Sequence, residues 1–429
     1  MGSSHDYDAV IVGASVGGCA AATLLGRAGL RVVLVEKQPD PAAFKRLCTH
    51  YIQASTMPTL ERLGLVEPMM AAGAVRSRGR GWTRWGWFLP PADRVVASIN
   101  LRREKLDPIV RKLAADTPGV DLMLGRTAEE LSHGENDAID GVIVRDRDET
   151  KTRLGARLVV GADGRDSRIA RLARVPEKTS PHGRFVYGAY FKGPPLPGAP
   201  DSVAWFMDPQ WALAAPTDGD LVLYGAMLTK DRLPEFKADP EAALVSFMSD
   251  MPCPPPVRES ERVSPMIAKL DMTNRTRRPT APGLALIGDA ALAADPLYGI
   301  GCGWAFRSGE WLAESVAPAL HGEEPLERGL RRYRRRHTRE LRGHALLIND
   351  YATGRRFNLL ERTLFSAAAH DPIVAVALDE LATRRTKPGR LLARTLPRAI
   401  AVNARARVTA RRDGAARYAK DRIPLAETP

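Results

Sequence analysis

Three short runs at the start of the chain set its pattern. YDAVIV (Tyr7–Val12) is apolar and β-branched at nearly every position, as a strand buried on both faces of a parallel sheet requires. CAAATLLGRAG carries apolar residues at helical spacing and stops at Gly29, a residue suited to closing a helix. LRVVLVEK is a second doubly buried strand, ending at Glu36 and Lys37, and the three runs close a βαβ unit of about thirty residues. Further along, LVVGADG (158–164) and GLALIGD (283–289) repeat the apolar strand that runs into Gly and Asp. Between them the pattern changes. RFVYGAYFKG, VAWFM, WALAAPT and DLVLYGAML are strand-like pieces separated by Pro, Gly and Asp, which predicts a small, largely antiparallel sheet over 181–280. After residue 325 apolar residues fall three or four apart, as at Leu347 and Tyr351, then Phe357, Leu360 and Leu364, and a second helical stretch runs from about Pro372 to Lys420.

The chain of 429 residues is long enough for two or three lobes, and no run reaches the roughly 18 uncharged residues of a membrane span. No basic-then-apolar leader precedes Tyr7, so a cytoplasmic protein is expected. Cys19, Cys48, Cys253 and Cys302 share no Cys-x-x-Cys spacing, which argues against a disulfide framework and against a metal site. Charge is uneven. Residues 321–429 hold 24 Arg and Lys against 12 Asp and Glu, so nearly all of the net +13 lies there. Its apolar stripe points to a helical cap on the body, with weak peripheral contact to a membrane or an acidic partner as the alternative. No aromatic-interleaved basic groove accompanies it, so nucleic acid is not an expected partner.

The loop AVIVGASVGGCAAA places Gly13, Ser15 and Gly18 where a dinucleotide loop has three glycines, with Val16 and Gly17 between them. Gly13 permits the tight turn, Gly18 lets helix and strand pack closely, and Ser15 is small enough to admit a diphosphate and can donate to it. Glu36, eighteen residues beyond Gly18, stands where a ribose-binding carboxylate belongs and favours FAD or NAD over NADP.

With Asp163-Gly164 and Ser167 in the second motif, and Gly288-Asp289, Pro296, Gly299, Gly301 and Gly303 in the third, residues 6 to about 320 resemble the FAD-dependent monooxygenase superfamily. That superfamily includes aromatic hydroxylases, geranylgeranyl-reductase-like enzymes and flavin-dependent halogenases. The resemblance implies an α/β, glutathione-reductase-like FAD-binding Rossmann fold, with FAD held non-covalently by segments 6–75, 98–180 and 281–325. A substrate-side insertion (76–97), a substrate-binding sheet (181–280) and the basic helical region 326–429 complete the expected layout. It further implies that Asp289 binds a flavin sugar hydroxyl, that Asp163 lies between FAD and nicotinamide handling, and that Arg103 meets the phosphate or adenosine side. Arg46 becomes a flavin contact by position, and the Gly299–Gly303 turn with Cys302 opens a helix toward the flavin pyrimidine. Arg46, Cys48 and Cys302 are weak candidates for a catalytic role.

By the same resemblance Trp85, Trp205, Trp211 and Leu213 face an aromatic or polycyclic substrate. No second dinucleotide loop is present, so NAD(P)H is expected as a transient co-substrate. Halogenases carry Trp-x-Trp-x-Ile-Pro; WALAAP, Trp211 to Pro216, has Leu213 in the second tryptophan's place, and no relay lysine can be assigned. The Asp-Pro-x-x-Gly-x-Gly turn resembles the reductases. An NAD(P)H- and oxygen-using monooxygenase tailoring a secondary metabolite leads. A C=C reductase, a halogenase and a binding or cyclisation scaffold with structural FAD stand behind it. Arginine outnumbers lysine 51 to 12, as in GC-rich bacterial coding sequences.

Overall fold

The structure, a computed structural model, describes residues 6–413 except 89, 297 and 298. Its first elements are β1 (Tyr7–Val12), α1 (Val16–Arg27) and β2 (Val32–Glu36). The chain then leaves for β3 (Gly79–Thr83) and β4 (Gly86–Phe88) and returns through α2 (Arg103–Ala115) and β5 (Val120–Leu124). An antiparallel flap follows, made of β6 (Thr127–His133), β7 (Ile139–Arg145) and the first half of β8 (Lys151–Gly161). Next come β9 (Arg184–Lys192), β10 (Ser202–Phe206), β11 (Trp211–Thr217), β12 (Leu221–Thr229) and α3 (Pro240–Ser249). The body closes with β13 (Leu284–Leu286) and α4 (Gly301–Leu320). Last are α5 (Leu326–Tyr351), α6 (Leu359–Ala368), α7 (Pro372–Ala382) and α8 (Pro388–Asp413).

The first sheet runs β13–β8–β1–β2–β5, all parallel, with Ile11 opposite both Val160 and Leu34. Its central residues, including Val10, Ile11, Val33 and Val160, are wholly buried, because helices cover one face and the flap the other. On the helical face α1 and α4 cross closely: a Cβ at Gly309 would lie 2.6 Å from the Gly17 carbonyl oxygen. The parallel strands all end at one edge, where Gly13, Glu36, Ala162 and Ile287 mark the crevice in which such sheets bind ligands.

The second sheet runs β9–β12–β11–β10–β3–β4, antiparallel except where β3 pairs with β10, Trp82 opposite Trp205. Residues 79–88, although far away in sequence, thus join the sheet built from 184–229. Alternation decides which side chains reach the ligand side. Val203, Trp205, Ala212 and Ala214 point to the helices, among Phe236, Leu244 and Phe247, while Ala204, Phe206, Trp211 and Leu213 point the other way.

In α5 the buried stripe is Leu330, Tyr333, His337, Leu341, Ala345, Ile348 and Tyr351, packed on α4, and the Tyr333 hydroxyl donates to the Leu286 carbonyl at 2.7 Å. Tyr351, Phe357 and Leu364 are buried as the spacing predicts, but Leu347 is 40% exposed. Ile348 takes its place, one residue along the same helical turn. Helices α6–α8 build a small core of their own around Leu364, Val374, Leu378 and Leu391. The rest of the basic segment, 414–429, lies outside the described residues. No described helix is long and apolar enough to cross a membrane, and among the described residues no cluster of His, Cys, Asp and Glu is arranged to hold a metal.

Candidate functional site

A cleft of about 1130 Å³ runs from the carboxyl edge of the parallel sheet to the underside of the second sheet. At its first end Gly13 adopts φ +112°, and a Cβ there would sit 2.5 Å from the Ala162 carbonyl oxygen, so no other residue fits the turn. Gly18 has a different task. A Cβ there would strike the Gly13 carbonyl at 1.9 Å, and the residue does not line the cleft, so it acts by packing and not by touching a ligand. Ser15, Val16 and Gly17 do line it, where the first-turn N–H groups of α1 have no intrahelical acceptor.

Glu36 holds this loop in shape. Its carboxylate accepts from the Ala14 N–H and the Gln38 N–H, both at 2.9 Å, and still faces the cleft beside Lys37. Arg103 lies wholly inside. Its guanidinium donates to Ser15 Oγ and to Asp107 Oδ1, both at 2.7 Å, and lies 3.5 Å from Cys302 Sγ. Its N–H donates to His50 Nδ1 at 3.0 Å, which fixes the start of α2. Arg111, not anticipated from the motifs, completes this wall by donating to the carbonyls of Ala14 (3.2 Å), Ala43 (2.9 Å) and Pro41. The signal was present in the sequence: 103, 107 and 111 are four apart, so Arg, Asp and Arg share one helix face.

In the middle of the cleft Asp289 meets Lys45, whose Nζ is 2.9 Å from Oδ2. Burial works against the Asp289 carboxylate, yet the Lys45 ammonium holds it below the usual carboxylate range. Lys45 also was not anticipated. Its backbone N–H donates to Asp107 at 2.9 Å, so the segment carrying it is tied to α2. Arg46 lines the cleft next to it and is exposed.

Asp163 has a structural task as well. It borders the cleft, but its carboxylate accepts from Ser167 Oγ (2.5 Å) and from the N–H groups of Arg168 (2.6 Å) and Ile169 (3.0 Å). The side chain is therefore committed to starting the short helix Arg168–Leu172, and the turn offers the cleft its backbone. Gly288, Pro296, Gly299, Gly301 and Cys302 line the far half, ahead of α4. Gly303 does not. A Cβ there would meet Thr56 Oγ1 at 2.6 Å, so its smallness serves helix packing. The turn before α4 is anchored to the second sheet by His182, whose Nε2 is 2.6 Å from Asp295 Oδ2 with both side chains buried. Cys48 and Cys302 face each other here, Sγ to Sγ 3.5 Å.

A smaller apolar chamber of about 110 Å³ adjoins this end and shares Thr49, Tyr51, Leu213 and Gly299 with the cleft. Phe88, Phe206 and Trp211 wall it from the sheet, and Leu378 and Ala382 of α7 from the other side. Phe365 packs behind Phe88 and Phe206, its ring centre 5.9 and 5.7 Å from theirs. Trp205 is not part of it. It is 1% exposed in the opposite core, with Nε1 donating to the Pro252 carbonyl at 2.8 Å, because strand alternation sends 205 away and 206 in. Trp85 also lines neither space. It lies under the Arg84 guanidinium, 4.4 Å from the ring centre, at the edge of the cluster around Val186 and Tyr351.

The residues present fit FAD: a glycine cradle that a Cβ would fill, helix N–H groups for a diphosphate, Glu36 for a ribose and Asp289 for a ribityl hydroxyl. Comparison with known proteins agrees. The FAD binding domain family matches residues 6–346. Menaquinone reductase of Mycolicibacterium smegmatis is 28% identical over 327 residues, 72% of this chain and 75% of that one. The 1H-pyrrole-2-carbonyl-[peptidyl-carrier protein] brominase of Pseudoalteromonas luteoviolacea is 22% identical over 339 residues, 76% of this chain and 80% of that one. Among solved structures, the flavin-dependent brominase Bmp2 superposes with TM-score 0.75 at 19% identity, covering 89% of this chain and 94% of the other.

Proposed function

The chain belongs to the FAD binding domain family, and from that premise we propose that this FAD-dependent oxidoreductase is a monooxygenase. It takes electrons from NAD(P)H, uses oxygen, and oxidises a hydrophobic, aromatic or polycyclic small molecule of bacterial secondary metabolism in the cytoplasm. The observation that carries this reading is the chamber beside the flavin end of the cleft. Its walls are mostly ring and methyl, with Tyr51 and Thr49 at the mouth it shares with the cleft and Arg80, Ser202, Asp379 and Thr383 as the other polar residues of the lining. FAD, when bound, supplies hydride acceptance and the reduction of oxygen. The chain's own residues do the rest. The Gly13 loop and Glu36 would hold the adenosine diphosphate half, Asp289, now paired with Lys45, would accept from a flavin hydroxyl, and the N-terminal end of α4 would favour negative charge on the bound group. Burial pushes the Tyr51 phenol up to about 12, so it remains a hydrogen-bond donor across the working pH range and can orient a substrate oxygen. The apolar walls exclude water.

Two features bear on the alternatives. Leu213 stands where a halogenase has tryptophan, and the residues lining the chamber include no lysine, which supports oxygen transfer over halogenation. Identity of 28% with a menaquinone reductase supports a second reading, saturation of a C=C bond. Incubation with NAD(P)H, ¹⁸O-labelled oxygen and a panel of planar polyketide-like and isoprenoid compounds separates them. Label in the product is the expected result. Equal turnover without oxygen, with the product two hydrogens heavier, would establish the reductase. The basic region serves in this reading as a wall of the chamber through α7, with no role in nucleic-acid binding.

A further inference from the structure

Cys48 and Cys302 are 254 positions apart in sequence, yet their sulfurs are 3.5 Å apart and share one hydrogen bond. Their surroundings differ. Cys48 is half-buried on the irregular segment that lines the cleft, whereas Cys302, which also borders the cleft, is only 4% exposed on the first turn of α4. The His50 N–H donates to Cys48 Sγ at 3.2 Å, and Arg103 Nη1 donates to Cys302 Sγ at 3.5 Å. The hydrogen bond from Cys302 lowers the Cys48 thiol against the effect of its burial, and that same bond together with burial raises Cys302. One sulfur is thus accessible and proton-poor, and its neighbour is shielded and holds the proton. That is the arrangement of an attacking and a resolving thiol. Cys19, by contrast, is sealed in the core and pushed up to about 12 by burial.

We propose that Cys48 and Cys302 are a peroxide-sensitive dithiol–disulfide pair that sets how firmly the dinucleotide loop is held. Hydrogen peroxide, which flavoproteins release when oxygen is reduced without substrate, is the oxidant. The Cys48 thiolate attacks one peroxide oxygen and the O–O bond breaks, giving a sulfenic acid and hydroxide, which takes up a proton to become water. The Cys302 thiol then attacks the Cys48 sulfur; the S–S bond forms, the S–OH bond breaks, and the hydroxyl leaves as a second water with the thiol proton. Two thiols are oxidised and one peroxide is reduced to two waters. Closing 3.5 Å to a disulfide bond takes about 1.5 Å of movement. Cys302 sits on a helix, so the segment carrying Cys48 moves. That segment also carries Ala43 and Lys45, partners of Arg111 and Asp289, and Cys302 itself touches the Arg103 that holds Ser15.

The inference rests on FAD occupying the cleft and not on the oxygenation chemistry, and its first readout needs no turnover. The flavin-loaded protein is titrated with hydrogen peroxide, alkylated, and peptide-mapped without reduction, while bound FAD is followed by filtration. The expected result is a Cys48–Cys302 cross-linked peptide that dithiothreitol reverses, with Cys19 unmodified and FAD bound roughly tenfold more weakly. In Cys302→Ser the Cys48 peptide should instead gain oxygen, because its resolving thiol is gone. Alkylation of both thiols after peroxide has oxidised Cys253 would overturn the proposal, as would a complete cross-link that leaves FAD affinity unchanged.

Discussion

At the Gly13 end of the cleft the wall is backbone and buried charge; at the Leu213 end it is mostly ring and methyl. Recognition at the first end tolerates no extra atom, since Gly13 and Gly18 leave no room for a Cβ and Arg103, Arg111 and Glu36 each hold the loop by a hydrogen bond. At the second end shape comes from residues on separated stretches of chain: 49–51, 79–90, 202–213, Gly299 and 378–383. A cofactor shared by many enzymes needs the first kind of wall. A substrate particular to one enzyme needs the second.

Gly18→Val is the severest way to break the first end. A side chain 1.9 Å from a backbone carbonyl cannot be relieved by a rotamer change, so a loss above about 5 kcal/mol is expected, with little folded protein and no bound flavin. Soluble, yellow protein would show that the loop has slack. Neighbouring residues at the second end should behave as opposites. Trp205→Ala should cost about 3–5 kcal/mol in urea unfolding because it empties a core, while leaving the substrate KM unchanged where the protein remains folded. Phe206→Ala should change KM and cost less stability than Trp205→Ala, because Phe206 is only partly buried.

Acid should loosen the packing of α5 on the body. His337 is buried in α5 beside Tyr333, and burial lowers its pKa to about 4, below the ordinary value near 6.5. Above pH 6.5 it is neutral in both states. As the pH falls below that value the unfolded chain takes up a proton that the folded chain refuses, so stability falls until the pH reaches the folded pKa. Between pH 7 and 4.5 the loss should be about 2–3 kcal/mol, and His337→Leu should remove it. Equal pH dependence in both proteins would place the acid sensitivity elsewhere.

Asp289→Ala tests the middle of the cleft. Lys45 is half-exposed and regains water when its partner goes, so folding should be unaffected. Losing a charge-assisted hydrogen bond to the flavin sugar should cost about 1.5–3 kcal/mol, one to two decades in FAD affinity by fluorescence titration. Unchanged affinity would mean that Asp289 serves Lys45 and not the flavin.

What the sequence revealed follows the same division. Glycine spacing and an acidic residue at a fixed distance are local features, so the loop, Glu36 and the order of the three motifs were legible, and with them the α/β fold. The chamber was not, because it joins stretches almost 300 residues apart. Within one strand, tryptophan content pointed to Trp205 where alternation selects Phe206, and only the sheet's pairing fixes which parity faces inward. Asp163 was half legible for another reason. A carboxylate five residues before a helix can serve a ligand or the helix itself, and Ser167 and the first helical N–H groups engage this one. Lys45 and Arg111 escaped notice because they themselves lie outside the motifs, and only the folded chain brings them to Asp289 and to the carbonyls of 14 and 43.

The central claim is that FAD is held at one end of the cleft while a hydrophobic substrate is oxygenated at the other. It is tested most directly by filling the chamber from α7 with Ala382→Phe and measuring bound FAD, NAD(P)H oxidation and labelled oxygen in product on the same sample. The account predicts full flavin occupancy and continued NAD(P)H oxidation, with oxygen diverted from product to peroxide. Product formed at the parent rate by a flavin-loaded Ala382→Phe protein would contradict it.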